Sequence, residues 1–381
     1  MSATRPRVLL VAHSVDPAGG GMERINARLI GALHDRVELV VIAGELGPDL
    51  PDDVEVHKIP IPRRPMPLRF LSFYLLASIA VARLRRPGDV VHCCGAIVAN
   101  RADLIQVHLF GKGVVAASGG RLAPASAPPL RRLNTAIARW MAIRAESWAY
   151  RPDRVRVLAA VSRSVADELE ELAPGIEVIV ATNGVDTDRF TPDPAARSEL
   201  REELGLEHRP MALFVGGDFE HKGLGLAIEA LGAVPELELV VVGRGDIDRF
   251  AGIADQLNLR PRVHLVGQRE DIVRFDQAAD VFLCASMYET GPLTLLEAAA
   301  CAVPIVSTRV GVAAEIIGED ESGGILVDSD AGAIAAALRR ILDDPRRRAE
   351  MGGVARHRAQ SRTWETMVGQ IEDIYTGLGA S

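Results

Sequence analysis

Two glutamates eight residues apart form the clearest chemical signal in this chain of 381 residues. Glu289 lies in a Gly-Pro loop after a short apolar run that ends at Ser286, and Glu297 lies early in the helix that follows. The first backbone N–H groups of that helix, near Leu293 and Thr294, are suited to bind an anion. Carboxylates accept hydrogen bonds from hydroxyl groups. The segment therefore predicts a ligand with both phosphate and hydroxyl groups, although Glu297 alone would fit an ordinary acid on a helix surface.

Two glycine-rich loops could approach the same kind of ligand. Gly20 and Gly21 follow the first apolar run, and Gly216 and Gly217 follow a later run in the segment GGDFEHKG. Glycine allows close approach of the backbone, and a helix N-terminus behind it favours an anion. Lys222, one of three lysines in the chain, suits a point-charge contact with phosphate. The alternatives are a tight turn for the first loop and an exposed loop lysine for the second.

The histidines and cysteines point less specifically to a functional site than the glutamates and the glycine-rich loops do. His108 ends a predicted strand, where ligand-binding residues often lie, and His92 and His13 are placed similarly. A single histidine is equally compatible with a structural role. The cysteines show no metal-site spacing, no nucleophile-base pair suggests hydrolysis, and free thiols in a reducing cytoplasm are the simplest interpretation. These cysteines are Cys93, Cys94, Cys284 and Cys301.

Short apolar runs that alternate with helical patterns must position these residues. Seven such runs precede residue 183 and five follow it, which predicts an α/β protein with two doubly wound parallel sheets. We expect domains at 1–182 and 183–362, and apolar residues at helical spacing predict a last helix over 363–381. The proline-containing segment 188–204 is a candidate linker. Ligands of doubly wound sheets bind at the carboxyl ends of the strands, so the active site is expected in a cleft between the domains.

Composition and charge fit a globular protein with an uneven surface. Hydrophobic residues make up 48% of the chain and charged residues 25%, which argues against extensive disorder. Residues 1–180 contain 23 basic and 18 acidic side chains, whereas the rest contains 20 and 33. The basic half could meet an anionic acceptor or a membrane surface, and a neutral drift of surface composition is the alternative.

One apolar run approaches the length of a membrane span. It extends from Leu68 to Leu84 and includes Arg69 and Arg83. We expect a buried helix that packs on a parallel sheet. A peripheral membrane helix is the alternative, which the flanking arginines support.

Together the segments resemble glycosyltransferase family 4, whose GT-B fold has two Rossmann-like domains. The resemblance covers almost the whole chain, and the order and spacing of its segments are specific. It implies that the last helix, 363–381, packs back on the first domain. It is carried by GGGMERINARL, GDVVHCCG, AVSRSVADEL, TNGVDTDRF, FVGGDFEHKG, VVGRGD, SMYETGPLTLLEAAACAVPIV and TWETMVGQIEDIY. The form FVGGDFEHKG is most similar to the lipopolysaccharide-core glucosyltransferase branch.

The resemblance implies roles for individual residues. Glu289 and Glu297 match the two glutamates of the E-x7-E motif, which contact the donor sugar and hold the ribose. Lys222 matches the lysine that neutralises the diphosphate, and His108 matches a strand-end histidine facing the reacting sugar. The backbone N–H groups and glycines matched to the phosphates are those of Leu293, Thr294, Gly20 and Gly21.

The chain departs from the family pattern at two places. Gly216 and Gly217 stand where many members have Gly-Arg, so the arginine contact with phosphate is absent or comes from elsewhere, for example from Arg244. Thr290 and Gly291 replace the more usual Gly-Phe after the first glutamate, which leaves the donor sugar open.

The predicted activity is a retaining glycosyl transfer from a nucleoside-diphosphate sugar, UDP- or GDP-linked, to a hydroxyl acceptor. The acceptor would be a glycan, a lipid-linked sugar or a small molecule, and we expect no required cofactor or metal and no nucleic-acid partner. The expected location is cytoplasmic, with possible contact at the inner face of the membrane. The alternatives are a non-catalytic scaffold that binds nucleotide or glycan, a sugar-nucleotide epimerase, and a dinucleotide oxidoreductase, which the glycine pattern disfavours.

Overall fold

The structure, a computed structural model, describes residues 5–48, 50–124 and 128–379. Contacts divide the chain into two compact units. The first contains the chain up to Asn183 together with the segment from Trp364 onward, and the second is Gly184–Thr363. The predicted boundary after residue 182 differs from this division by one residue.

The first unit contains a parallel sheet of seven strands within the described residues. Its first strand in the sequence lies in the interior of the sheet and buries Val8 to Ala12 completely, as expected for a parallel strand covered on both faces. The spatial order is β3-β2-β1-β4-β5-β6-β7, so the order of strands reverses between β1 and β4. The strands are β1 (Arg7–Val15), β2 (Glu38–Leu46), β3 (Glu55–Lys58), β4 (Val90–Cys93), β5 (Ala102–Val107), β6 (Val155–Ala160) and β7 (Glu177–Val180).

Helices connect these strands. The helices are α1 (Gly21–Leu33), α2 (Met66–Leu84), α3 (Gly111–Ala117), α4 (Pro129–Ala149) and α5 (Arg163–Leu172). Ser162 caps α5 by accepting a hydrogen bond from the Val165 N–H, which satisfies one of the free donors at the helix start.

Helix α2 differs from the buried helix predicted for the apolar run. Its buried residues are Phe73, Ala77 and Val81, which are four apart and form one stripe. Leu71 and Leu75 on the other side are 42% and 51% exposed. The prediction of a buried helix is therefore wrong for most of the run, because an unbroken apolar composition does not show how many faces of a helix are covered.

The second unit contains a parallel sheet of six strands within its described residues, in the order β10-β9-β8-β11-β12-β13. The order reverses between β8 and β11. The strands are β8 (Met211–Val215), β9 (Glu238–Val242), β10 (Val263–Gly267), β11 (Val281–Cys284), β12 (Ile305–Thr308) and β13 (Gly324–Val327). The sequence predicted five of them and missed β13, because this strand has only four residues, the first of them Gly324, and is too short to show a period.

Eight helices cover this sheet in the described chain, and several begin at an aspartate that accepts hydrogen bonds from the first-turn N–H groups, such as Asp193 and Asp344. The helices are α6 (Pro194–Leu204), α7 (Leu224–Leu231), α8 (Ile247–Gln256), α9 (Ile272–Ala278), α10 (Leu293–Ala300), α11 (Ala313–Ile317), α12 (Ala331–Leu342) and α13 (Pro345–Gln360). The family's two doubly wound parallel sheets are thus confirmed.

The candidate linker 188–204 belongs to the second unit instead. Its helix α6 is held to the sheet by Arg197 and Arg201, whose guanidinium groups pair with the Asp280 carboxylate at 2.8 and 3.2 Å. The predicted helix is present, with Pro194 as its first residue, but the linker prediction is wrong because the Asp280 ion pairs fix this helix within the second unit.

The last helix, α14 (Trp364–Gly379), belongs to the first unit. Tyr375 is buried, and its hydroxyl is 2.7 Å from Nδ1 of His92 in β4. Arg36, just after α1, pairs with Glu372 and Glu365 at 2.8 and 2.9 Å. The first unit therefore consists of both ends of the chain.

Candidate functional site

Most of the predicted site residues of the second unit follow β8 and β11, the two strands at which the sheet order reverses. Ligands of doubly wound sheets bind in the crevice outside the carboxyl ends of the strands at such a point. Gly216 directly follows β8, and Ser286 and Glu289 follow β11. The topology therefore brings the glycine loop and the Glu289 loop to the same edge of one sheet.

An ion pair joins these two loops. The Lys222 ammonium donates to Oε1 of Glu289 at 2.7 Å, and the Ser286 hydroxyl donates to the same oxygen at 3.1 Å. The two charged side chains are 20% and 19% exposed, so both still reach the surface. Burial disfavours the charged form of Lys222, but the neighbouring Glu289 carboxylate outweighs it and raises the pKa of the ammonium. Lys222 is therefore a fixed positive charge at neutral pH.

The glycine loop provides the space that the lysine side chain occupies. A Cβ on Gly216 would be 2.1 Å from Cδ of Lys222, so the aliphatic part of the lysine crosses the glycine directly. Gly243, at the end of β9, has φ of +142°, and a Cβ there would meet the Gly216 carbonyl oxygen at 1.8 Å. Both positions need glycine, because a Cβ at either would overlap another part of the second unit.

Hydrogen bonds hold the Glu289 loop in place. Nε2 of His221 is 2.8 Å from the Tyr288 carbonyl oxygen, and the Met287 N–H donates to the His221 carbonyl at 3.0 Å. The Thr308 hydroxyl donates to the Ser286 carbonyl at 2.7 Å. Sequence reasoning assigned no role to Ser286 or His221, although both are polar residues at strand-end loops.

Helix α10 begins beside Glu289. Pro292 precedes its first residue, Leu293, and no side chain caps the helix start. The first-turn N–H groups, which include those of Leu293 and Thr294, are thus available to an anion. Thr290 is buried, and a Cβ on Gly311 (φ +50°) would meet its carbonyl oxygen at 2.7 Å, so the segment of Thr290 and Gly291 lies against the loop after β12.

Glu297 occupies a different environment from Glu289. It lies one turn into α10, about 6 Å along the axis from Leu293, and is 6% exposed. Asp276 in α9 is 1% exposed, and burial together with the nearby Glu297 carboxylate raises its pKa well above the usual range. No sequence pattern indicates this second buried acid, because α9 and α10 meet only in the folded unit.

Arg244 lies at the adjoining strand end. It follows Gly243 and is exposed, and its carbonyl oxygen is 3.8 Å from a Cβ built on Gly217. The second unit thus gathers the glycine loop, Lys222, Arg244 and Glu289 at neighbouring strand ends.

The remaining predicted residues lie in the first unit. Gly20 precedes α1, which has no side-chain cap, and Gly21 is its first residue. His108 follows β5, is 8% exposed, and burial lowers its pKa to about 4, so it is neutral at physiological pH. His92 binds the Tyr375 hydroxyl, and its burial and contact indicate a structural role.

The side chains that could ligate a metal ion are dispersed in the described residues. Within residues 5–48, 50–124 and 128–379, no group of three or more His, Cys, Asp or Glu side chains is arranged to hold a metal ion. The four cysteines are buried free thiols.

Two parallel Rossmann-like sheets, with a glycine loop, a lysine and a glutamate at the switch point of the second, define the GT-B class of protein. Family models agree with this class: "Glycosyltransferase Family 4" matches residues 19–189, and "Glycosyl transferases group 1" matches residues 196–358. The chain belongs to glycosyltransferase family 4.

Curated relatives are similar over part of their length. A GDP-mannose-dependent alpha-(1-6)-phosphatidylinositol monomannoside mannosyltransferase from Mycolicibacterium smegmatis is 33% identical over 59% of this chain and 60% of its own. The lipopolysaccharide glucosyltransferase WaaG of Escherichia coli K12 is 30% identical over 48% and 51%. An alpha-maltose-1-phosphate synthase from M. smegmatis is 30% identical over 61% and 67%. The matched regions thus span between half and two thirds of these relatives.

Solved structures share the fold along the whole chain. A crystal structure of WaaG, a glycosyltransferase involved in lipopolysaccharide biosynthesis, has a TM-score of 0.79 at 22% identity, and covers 97% of this chain and 100% of that one. A sucrose-phosphate synthase from Thermosynechococcus elongatus has a TM-score of 0.77 at 22% identity, covering 99% and 100%.

Proposed function

We propose that this protein is a retaining glycosyltransferase that moves a hexosyl group from a nucleoside-diphosphate sugar to a hydroxyl acceptor. The observation that carries the proposal is the Lys222–Glu289 pair on the glycine loop of a family 4 chain. It combines a fixed cation, an acceptor for sugar hydroxyls and a free helix N-terminus at one strand edge.

Charge stabilisation is the main catalytic task of these residues. As the bond from the anomeric carbon to the phosphate oxygen breaks, negative charge grows on the leaving diphosphate. Lys222 and the first N–H groups of α10 would meet this charge, with further contact from Arg244. The diphosphate would compete with Glu289 for Lys222, and Glu289 would then be free to accept hydrogen bonds from the sugar hydroxyls.

Retention follows from attack on the face that the leaving group departs from. The acceptor oxygen bonds to the anomeric carbon, and its proton passes to the leaving phosphate oxygen, so that nucleoside diphosphate and glycoside are the only products. Glu289 is not assigned as a nucleophile, and no separate base is assigned. The family resemblance assigns His108, which is neutral and follows β5 of the first unit, to the reacting sugar.

Glu297 would hold the ribose. Its side chain is nearly buried, and burial together with the nearby Glu297 raises the pKa of Asp276, which favours the protonated form of Asp276. A UDP- or GDP-linked donor is proposed, since one curated relative is GDP-mannose-dependent and a structural neighbour was solved in complex with UDP and glucose. The proposed acceptor is a glycan or lipid-linked sugar, and the proposed location, which the free thiols support, is cytoplasmic.

A donor screen tests the proposal. The protein is incubated with UDP- and GDP-sugars, and nucleoside diphosphate release and thermal stabilisation are measured. Lys222→Met is expected to lower kcat/KM about a hundredfold, because a preorganised charge contact is lost. Glu297→Gln should weaken nucleotide binding. The matched control is Lys58→Met, which replaces an exposed lysine on β3 and should change neither kcat/KM nor nucleotide binding.

Other outcomes distinguish the alternatives. Nucleotide binding without diphosphate release would favour a non-catalytic scaffold. A donor product of unchanged mass would favour an epimerase. Absence of stabilisation by any nucleotide at millimolar concentration would contradict the proposal, and so would equal activity of Lys222→Met and wild type.

A further inference from the structure

Helix α2 presents an apolar stripe that nothing in the described chain covers. Leu68, Leu71, Leu75 and Ile79 recur every three or four residues and are 42–51% exposed. They lie opposite the buried stripe of Phe73, Ala77 and Val81. A soluble helix normally places polar residues on its outer face, so this face is unusual.

Helix α4 carries a second stripe of the same kind. Leu130, Leu133, Ile137 and Trp140 again recur every three or four residues, and their exposed fractions run from 41% to 81%. The two helices pack against each other within the first unit. Most of the large exposed hydrophobic side chains of the described chain therefore lie on two neighbouring helices. They form an apolar patch rather than the scattered single residues that are normal on a protein surface.

Positive charge surrounds both stripes. Between Glu55 and Asp89 the sequence has seven basic residues and no acidic one, and between Asp103 and Glu146 it has six and none. Several of these arginines are exposed and make no side-chain hydrogen bond or ion pair to the described residues. They are Arg63, Arg64, Arg83, Arg131, Arg132 and Arg144. By contrast, exposed arginines of the second unit such as Arg309 and Arg340 pair with glutamates.

We propose that the exposed faces of α2 and α4 bind the surface of a bilayer that contains anionic lipids. Apolar side chains enter the boundary between head groups and acyl chains, and the unpaired arginines meet the lipid phosphates, each adding to the attraction. A second copy of this chain fits less well, because it would bring two arginine-rich surfaces together without an acidic partner.

Helix α2 lies on the bilayer in this proposal and does not cross it. Its length and composition alone would allow a span. However, it packs on β1 and β2 through its buried stripe, and the Ser78 hydroxyl donates to the Tyr74 carbonyl and accepts from the Ala99 N–H at 2.5 and 2.8 Å. Extraction of the helix would break these contacts.

Sedimentation of the full chain with vesicles tests this inference. We expect binding to vesicles of equal parts phosphatidylcholine and phosphatidylglycerol, little binding to phosphatidylcholine alone, and release by added salt. The double variant Leu71→Glu with Leu75→Glu should bind at least about tenfold more weakly, because two charges replace inserted apolar groups. Its control is Leu172→Glu, a leucine of α5 with 47% exposure in the same unit.

A charge-reversal pair tests the arginines. Arg131→Glu with Arg132→Glu, in the first turn of α4, should weaken binding to anionic vesicles at least about tenfold. Arg346→Glu with Arg347→Glu, in the first turn of α13 in the second unit, is matched in position and should leave binding unchanged. Circular dichroism and nucleotide-induced stabilisation verify that each variant is folded.

The following results would overturn the inference: no sedimentation of wild type with anionic vesicles, equal sedimentation of a folded stripe variant, or concentration-dependent dimers that the stripe variant abolishes without any vesicle binding. The last result would assign the surface to a second copy. Donor turnover is measured separately, so failure of vesicle binding leaves the proposed function untouched.

Discussion

Gly216 gives the lysine of the candidate site its position. A methyl group there would overlap the aliphatic part of Lys222, as the separation of 2.1 Å shows. We expect Gly216→Ala to displace the ammonium from the strand edge and to lower kcat/KM for the donor by about tenfold or more, while the unfolding temperature changes little.

The control for this variant is Gly225→Ala in α7. No atom lies within 4 Å of a Cβ at Gly225, so activity should be retained. If Gly216→Ala turned over donor as fast as Gly225→Ala, the position of Lys222 would not matter for the reaction.

At the residue scale the sequence indicated functional side chains better than it indicated their contacts. The charge and loop position of Lys222 and Glu289 predict that both are functional. Their ion pair joins segments 67 residues apart, so no local sequence pattern indicates it. Asp276 was missed for the same reason, since a buried acid without a motif looks like any helix residue.

Glycine determines how closely two elements of the second unit pack. Gly352 of α13 faces the end of α10, where a Cβ would be 2.0 Å from the Ala302 carbonyl oxygen. Its neighbour Gly353 has no atom within 4 Å of that position. Gly352→Ala should therefore lower the free energy of unfolding of the second unit by about 1–3 kcal/mol.

Gly353→Ala is expected to do the opposite and raise that free energy by about 0.5–1 kcal/mol, because alanine is the better helix former. Urea unfolding followed by circular dichroism measures both. Equal effects of the two variants would show that α13 and α10 are not in close contact in solution.

Strands were predictable at the element scale because buried parallel strands are unbroken apolar runs. The outer face of α2 was not, since the same apolar composition serves a helix covered on one side or on both. Strand β13 was too short to recognise, and the prolines before α6 suggested a linker where the Asp280 ion pairs hold a helix.

Acid should weaken the two units differently. Burial is the main cause that lowers the pKa of His13 and His108 to about 4 and of His92 to about 3, all in the first unit. The unfolded chain binds these protons below pH 6.5 while the folded unit does not. Stability is therefore complete above pH 6.5 and is lost as pH falls from 6.5 toward 4, by at most about 3 kcal/mol for His108.

Two buried carboxyl groups, whose pKa values are raised, act in the other direction. Burial raises the pKa of Glu146 to about 7, so the first unit gains stability from this group as pH falls from about 7 to 4.5, which offsets about one histidine. In the second unit the raised pKa of Asp276 likewise makes the folded state more stable as the pH falls. None of the described histidines of the second unit is buried. We therefore expect the first unit to unfold at the higher pH.

Tryptophan fluorescence can follow this difference, because Trp140, Trp148 and Trp364 all belong to the first unit. The fluorescence transition on acidification should precede the loss of hydrogen-exchange protection in the second unit. His92→Gln should move the fluorescence transition to lower pH. If both units unfolded at the same pH, the buried histidines would not be the cause of the acid sensitivity of the first unit.

At the scale of the whole molecule, alternating apolar runs predicted two sheets, and the family resemblance predicted the return of the last helix. The uneven charge was visible in the composition. The concentration of positive charge around α2 and α4 was not visible, because the two segments that lack acidic residues come together only in the folded unit.

The return of α14 to the first unit has a consequence for synthesis. A ribosome makes residues 184–363 after the seven strands of the first unit and before the helix that supplies Tyr375 to their core. The first unit can therefore be completed only after the whole second unit has been made. Its sheet exposes an unfinished apolar surface while residues 184–363 are made, and a premature stop within α14 would destabilise the unit whose synthesis begins first.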